Sequence, residues 1–248
     1  MRAKRPVLIV KTGTTLAEIA ARRGDFEDWI CAGLGEDSPP VEVSAVYPDH
    51  EVGLPRPDSL AGVIVTGSSA MVSHAEPWSE RTAEWLSTVV DAGTPCLGIC
   101  YGHQLLAKAL GGEVGPNPRG REIGTITVEL SGAHEDPLLG VLGPKARVQA
   151  SHAEAVLALP AAAKCRGTTS LDPHHVFTLP GRAWGVQFHP EFDAEVMRGY
   201  IRGRRQLLID ENLDPGALLE AVEETHSGSR LLARFGSLCA SPEAATEA

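Results

Sequence analysis

Short apolar runs separated by longer amphipathic segments constrain the fold of this chain more than any other feature. Val7–Val10, Val41–Val46, Gly62–Val65 and Cys96–Ile99 are such runs. Between them lie helical patterns. Thr15–Leu34 ends among Gly33 and Gly35, and Pro77–Val90 has proline at its start and Gly93 just past its end. Tyr101–Leu110 is a third, stopped by Gly111-Gly112. Runs this short and this apolar predict strands buried on both faces, and the β-α-β-α rhythm predicts that they are parallel. The expected fold is α/β, an open, mostly parallel sheet with helices on both faces.

Beyond Gly112 the pattern changes. Ile123–Leu130 alternates and predicts a half-exposed strand; Arg147–Ala150, Val156–Leu159, Val176–Leu179 and Trp184–Phe188 are further strand candidates. Asp193–Ile209 and Pro215–Phe235 read as helices. No repeat and no linker divides the chain, so residues 1–240 are expected to form one domain, followed by a frayed tail at 241–248.

Lys plus Arg number 22 and Asp plus Glu 32, a net charge of −10. That balance argues against nucleic acid and anionic membranes as partners. No stretch approaches the length of a membrane-spanning helix. The five cysteines are odd in number and widely spaced, as expected of reduced thiols in a cytoplasm. None shows zinc-type spacing, so no metal site is expected.

The strongest chemical signal is Cys96-Leu97-Gly98-Ile99-Cys100-Tyr101-Gly102-His103-Gln104. A buried strand runs directly into a helix with Cys100 at the corner, and Gly98 and Gly102 relieve the crowding there. The positive end of the helix faces the sulfur, which favours a thiolate, and the Tyr101 N–H is free to meet an oxyanion. The alternative is a buried core cysteine, the reading that Cys96 receives four residues earlier on the same strand and away from the helix start.

A thiol nucleophile needs a base. Of the nine histidines, His189 closes the apolar run Trp184–Phe188 and precedes Pro190-Glu191. Proline biases His189 towards extended backbone, in which i and i+2 share a side, so Glu191 can orient the imidazole. The alternative is a surface turn. His174-His175, beside Pro173, read as ordinary exposed residues, and His103 cannot easily turn back to the sulfur. If the strands ending near Gly67, Cys100 and His189 are parallel, all three residues meet at one carboxyl edge, where ligands of open α/β sheets bind. The Gly67 N–H is then a second oxyanion donor, or Gly67 is a plain turn glycine.

Gly98-Ile99-Cys100-Tyr101-Gly102-His103-Gln104 together with Gly185-Val186-Gln187-Phe188-His189-Pro190-Glu191 resembles the class I, or triad, glutamine amidotransferase family, and is similar to the amidotransferase part of GMP synthases. The resemblance runs from Val7 to Ile209 in element order. It implies a flavodoxin-like fold with Cys100 as nucleophile, His189 as base, Glu191 as its orienter, and the N–H groups of Gly67 and Tyr101 as oxyanion hole. It further implies that Gln104 faces the substrate's glutamyl backbone. The main chain of Ser151-His152-Ala153 would hold the α-amino and α-carboxylate groups, although alanine stands where glycine is common. Thr66-Gly67-Ser68-Ser69 also departs from the family's usual Gly-Gly-Pro or Asn-Gly-Pro loop. Arg119 and Arg121 are within reach of a substrate carboxylate or are solvated loop charges.

Three functions fit. One is a glutaminase, whose implied chemistry needs no metal and no cofactor, passing ammonia to a synthase; with 248 residues leaving no room for an ATP-using synthase domain and no P-loop pattern visible, that synthase is expected as a separate chain. Another is a free-standing γ-glutamyl peptidase acting on γ-glutamyl amides or glutathione-like conjugates. The third is a non-catalytic regulatory protein of the same fold.

Overall fold

The structure is a computed structural model and describes residues 4–48 and 53–241. The expected tail lies outside the described residues except for Ser241. The first half contains β1 (Val7–Lys11), α1 (Ala17–Arg23), α2 (Phe26–Gly33), β2 (Val41–Ala45), β3 (Gly62–Val65), α3 (Pro77–Asp91), β4 (Cys96–Ile99) and α4 (Tyr101–Ala109). Then come β5 (Glu113–Pro116), β6 (Glu122–Leu130), β7 (Lys145–His152), β8 (Glu154–Ala158), β9 (Lys164–Thr168), β10 (Val176–Leu179) and β11 (Ala183–Val186). Four helices close the described chain: α5 (Ala194–Gly203), α6 (Arg205–Asp210), α7 (Pro215–Glu220) and α8 (Ser227–Ala240).

The main sheet has the order β2-β1-β3-β4-β11-β10-β9-β6-β7. The strands β2, β1, β3, β4 and β11 run parallel, and the remaining four continue the sheet by antiparallel pairing. A mixed α/β sheet with a parallel half is thus what the apolar runs foretold. β1, β3 and β4 are buried on both faces: Val7 and Ile9 pack with Ile30, Leu232 and Phe235, whereas Leu8 and Val10 pack with Leu86 and Leu105. The run at Val41–Val46 departs from the expectation, because β2 is the edge strand and leaves Glu42 and Val43 exposed. Helices α2 and α8 therefore cover one face, and α3 and α4 the other.

Register decides what happens at the carboxyl edge. Val65 pairs with Gly98, Gly98 with Gly185 and Ile99 with Val186. The next residues of three strands, Thr66-Gly67, Cys100 and Gln187–His189, consequently emerge side by side.

Two strands escaped the sequence reading. β5 is a four-residue strand paired with β8, and β9 carries Lys, Cys and Arg within five residues, so neither has an apolar run to reveal it. The helical pattern at Thr15–Leu34 is two helices. Gly24 takes φ 82°, and Asp25 begins α2 with a capping box to Asp28. Asp193–Ile209 likewise divides at Arg204, and Pro215–Phe235 divides between α7 and α8.

Candidate active site

Cys100 stands alone between β4 and α4 with φ 49° and ψ −97°, a conformation L-residues avoid. Strain of this kind costs about 1–3 kcal/mol and persists only where the surroundings impose it. They do so through the two flanking glycines. A Cβ on Gly98 would lie 2.4 Å from the Gly102 carbonyl oxygen, and one on Gly102 would lie 2.4 Å from that of Val65. The Cys100 N–H donates to the Val186 carbonyl at 2.9 Å, tying the corner to β11. The sulfur is nearly buried and lies 3.8 Å from the Ser151 carbonyl oxygen.

His189 reaches this corner from the end of β11. Its N–H donates to the Gln149 carbonyl at 2.8 Å. Its Nδ1 meets Glu191 Oε1 at 2.8 Å, and the Cys100 sulfur is close enough to act on the charge of the ring. Phe192 stacks on the imidazole with centroids 4.0 Å apart, and Phe26 lies nearly parallel at 6.1 Å. Burial disfavours an imidazolium here. The facing Glu191 carboxylate and the Cys100 sulfur outweigh that cost and push the His189 pKa up to about 10. Cys96 is the contrast: it is fully buried, and burial pushes its thiol up to about 12.

Gly67 permits the approach of this imidazole. A Cβ at position 67 would stand 2.8 Å from His189 Cε1. Gly67→Ala is therefore expected to displace the ring and lower kcat by roughly a hundredfold, the usual cost of misplacing a reacting group by about 1 Å. Steady-state rates with unchanged thermal stability would establish this; a rate within threefold of the parent would refute it.

The loop around Gly67 is held by hydroxyls. Thr12 Oγ1 donates to the Thr66 carbonyl at 3.0 Å, and the Gly102 N–H donates to that same oxygen at 3.2 Å. In a trans peptide the Gly67 N–H points away from these donors, and it has no acceptor among the described residues. The Tyr101 N–H lies in the first turn of α4, where helix geometry supplies no acceptor either.

A cavity of about 180 Å³ opens over Cys100 and Tyr101 and is lined by Gln104, Ser151, His152 and Ala153. Gln104 is buried, and its Nε2 donates to the Glu154 carbonyl at 2.9 Å and to Gln187 Oε1 at 3.0 Å. A second cavity, about 230 Å³, opens on the His189 side and shares Ser68, Ser69, Ser151 and Arg204 with the first. Arg121 lines the first cavity and is not a solvated loop charge, because it forms a two-pronged ion pair with Glu211 at 2.7 and 3.0 Å. Arg119 instead donates to the Ser170 carbonyl at 3.1 Å. Arg204 had no sequence signal, since it sits within a helical pattern as one of several basic residues.

His175 corrects the expectation of an exposed residue: it is completely buried, and His174 is partly buried against the Val156 carbonyl. His175 Nδ1 lies 3.3 Å from Glu122 Oε2 and 3.4 Å from Asp172 Oδ2. His152 Nε2 meets the same Glu122 oxygen at 3.0 Å. Burial opposes the charge on Glu122, yet the two imidazoles hold its carboxyl well below the usual carboxylate range. This ion cluster backs the strand that carries Ser151. The donor atoms of Glu122, His152 and His175 lie within 4.8 Å of one another, close enough to hold a metal ion. Cysteine spacing does not reveal such a set. His103 is buried against Phe177, and burial pushes its imidazole down to about 3.

Similarity to other proteins points the same way as the geometry. A family profile described as glutamine amidotransferase class-I matches residues 25–202. A GMP synthase (glutamine-hydrolyzing) of Aeropyrum pernix is 40% identical over 185 residues, covering 75% of this chain and 32% of that protein. A glutamine amidotransferase-like protein of Schizosaccharomyces pombe is 26% identical over 209 residues, covering 79% and 83%. The chain spans about a third of the length of the GMP synthases it matches. Among solved structures, a glutamine amidotransferase of Thermotoga maritima superposes with TM-score 0.73 at 23% identity, covering 96% of this chain and 99% of that one. No helix among the described residues is long and apolar enough to cross a membrane.

Proposed function

Because this chain belongs to the class I glutamine amidotransferase family, we propose that it hydrolyses the γ-amide of glutamine through a thioester on Cys100. The observation that carries this reading is the placing of His189 between the Cys100 sulfur and the Glu191 carboxylate, which meets its Nδ1 at 2.8 Å, at the rim of a cavity of about 180 Å³. The Cys100 thiolate adds to the amide carbon. The negative charge that forms on oxygen is met by the N–H groups of Gly67 and Tyr101, each such donor being worth about 3 kcal/mol of barrier. The imidazolium of His189 gives its proton to the amide nitrogen, the carbon–nitrogen bond breaks, and ammonia leaves. Water then gives a proton to the neutral imidazole and attacks the thioester, releasing glutamate and the thiolate. Glu191 holds the imidazole by Nδ1, which leaves Nε2 for both proton transfers.

The ammonia-transferring reading adds a synthase as a separate partner chain, by analogy with the GMP synthases in which the matching segment is one part of a longer protein. A second reading has its own support. The leaving group must depart on the His189 side, and the cavity there, about 230 Å³, has room for an amine larger than ammonia. That favours γ-glutamyl amides of small amines or amino acids as additional substrates.

Product analysis on the purified chain separates the two. Ammonia and glutamate from glutamine, rising when a synthase is added, are the expected result for ammonia transfer. Release of free amine from γ-glutamyl dipeptides, at least as fast and without any partner, is the expected result for the peptidase. Neither glutamine nor any γ-glutamyl compound yielding glutamate would overturn both.

A further inference from the structure

We propose that Arg204 is a specificity-determining residue that binds the α-carboxylate of the γ-glutamyl donor, so that the site selects substrates carrying a free anionic group there. The inference rests on the amide-hydrolase reading for its substrate but on separate observations for its chemistry.

Arg204 sits at the junction of α5 and α6, with φ −105° and ψ 15°. Arg204 lines both cavities, the one over Cys100 and the one beside His189. Nη1 donates to Ser151 Oγ at 2.9 Å, and the guanidinium carbon lies 4.9 Å from the centre of the Tyr200 ring. Those contacts orient it without neutralising it. No carboxylate forms an ion pair with Arg204 among the described residues; Glu211, the acidic group nearby, is already taken by Arg121. Burial works against the Arg204 charge, with Arg121 adding repulsion. A guanidinium held in a cavity wall keeps unused donors and an unmet demand for an anion.

The ligand chemistry follows from the distances a γ-glutamyl group spans. With its carbonyl at the Cys100 sulfur, its α-carboxylate lies a short aliphatic chain away, inside the same cavity. Arginine matches a carboxylate with parallel N–H donors, and Ser151 sets the orientation of that fork. The α-amino group is left to backbone carbonyls of the Ser151–Ala153 segment. Arg121, committed to Glu211, contributes field and not a contact.

Steady-state kinetics with L-glutamine and its α-carboxamide, on the parent chain and on Arg204→Met and Arg204→Lys, tests the assignment. The parent chain should prefer the free carboxylate by about tenfold to a hundredfold, the range for one charge-assisted hydrogen-bonded contact. Arg204→Met should raise KM for glutamine by a similar factor, change kcat much less, and lose the preference for glutamine over the carboxamide. Arg204→Lys should recover part of it. An unchanged KM and unchanged preference in Arg204→Met would overturn the proposal.

A readout independent of amide hydrolysis is alkylation of Cys100, followed by peptide mass spectrometry so that the exposed Cys31 and Cys165 do not interfere. The parent should react several-fold faster with a chloroketone analogue of L-glutamine that keeps the free α-carboxylate than with the α-carboxamide of that analogue, relative to a free thiol, and Arg204→Met should lose that advantage. If the advantage is present and Arg204-dependent but no glutamyl substrate is cleaved, the hydrolase reading fails and the anion site stands. If substrates are cleaved and the advantage does not depend on Arg204, the anion site fails alone.

Discussion

Cys100→Ser is expected to reduce glutamate formation by roughly four orders of magnitude or more, with the fold intact. Loss of a nucleophile from a unit that acts together typically costs of that order. The serine hydroxyl fills nearly the same space at a corner whose tightness is set by Gly98 and Gly102, so stability should change little. A hydroxyl is a weak nucleophile at neutral pH unless its proton is removed during attack. Coupled-enzyme detection of glutamate, paired with thermal melting, measures both properties. A variant retaining more than about a hundredth of the parent rate would require another nucleophile, and among the described residues no other cysteine faces His189.

Glu191→Gln should lower kcat/KM by between roughly a hundredfold and ten-thousandfold, the range expected when a base loses the carboxylate that fixes its tautomer. It should also move the pH profile. In the parent chain His189 carries its proton up to about pH 10, so activity that needs the imidazolium falls as pH rises through that value. Removing the negative charge that meets Nδ1 at 2.8 Å takes away the first of the attractions offsetting burial. The alkaline limb should then shift downward by about one to three pH units. Stability follows the same sign. A histidine raised above its ordinary 6.5 stabilises the fold fully below that pH and loses the contribution as pH climbs towards 10. The parent should therefore lose its stability advantage over Glu191→Gln across that interval. A pH–rate profile with an unmoved alkaline limb would separate Glu191 from the imidazole.

The contrast among histidines shows where pattern reading reaches its limit. His189 was singled out because proline and an acid at i+2 lie beside it. His175 carries equally local information, a proline and another histidine nearby, and was misread as exposed. Its surroundings come from Glu122 and Asp172 on other segments, and burial is a property of the packed sheet that no neighbouring residue announces. Arg204 is a similar case: its partner Ser151 is more than fifty positions away, and its cavity is formed by several loops. The breaks at Gly24-Asp25 and at Arg204 differ again. The first carries a glycine at φ 82° followed by a capping aspartate and was legible in principle, whereas the second has Gly203 but no side-chain cap to begin the next helix.

What the sequence alone determined is therefore local: buried parallel strands from unbroken apolar runs, a crowded corner at Cys100 from its two glycines, and an imidazole with a carboxylate two residues on. Those features follow from backbone sterics and side-chain periodicity over a few residues. Only the tertiary structure decided that the corner and the imidazole meet, because β4 and β11 are parallel neighbours in one particular register. The same packing left Arg204 without an acidic partner and gathered His152, His175 and Glu122 into one buried cluster. Contacts between distant segments depend on the free energy of the whole packed sheet, to which every strand contributes and which no short stretch encodes.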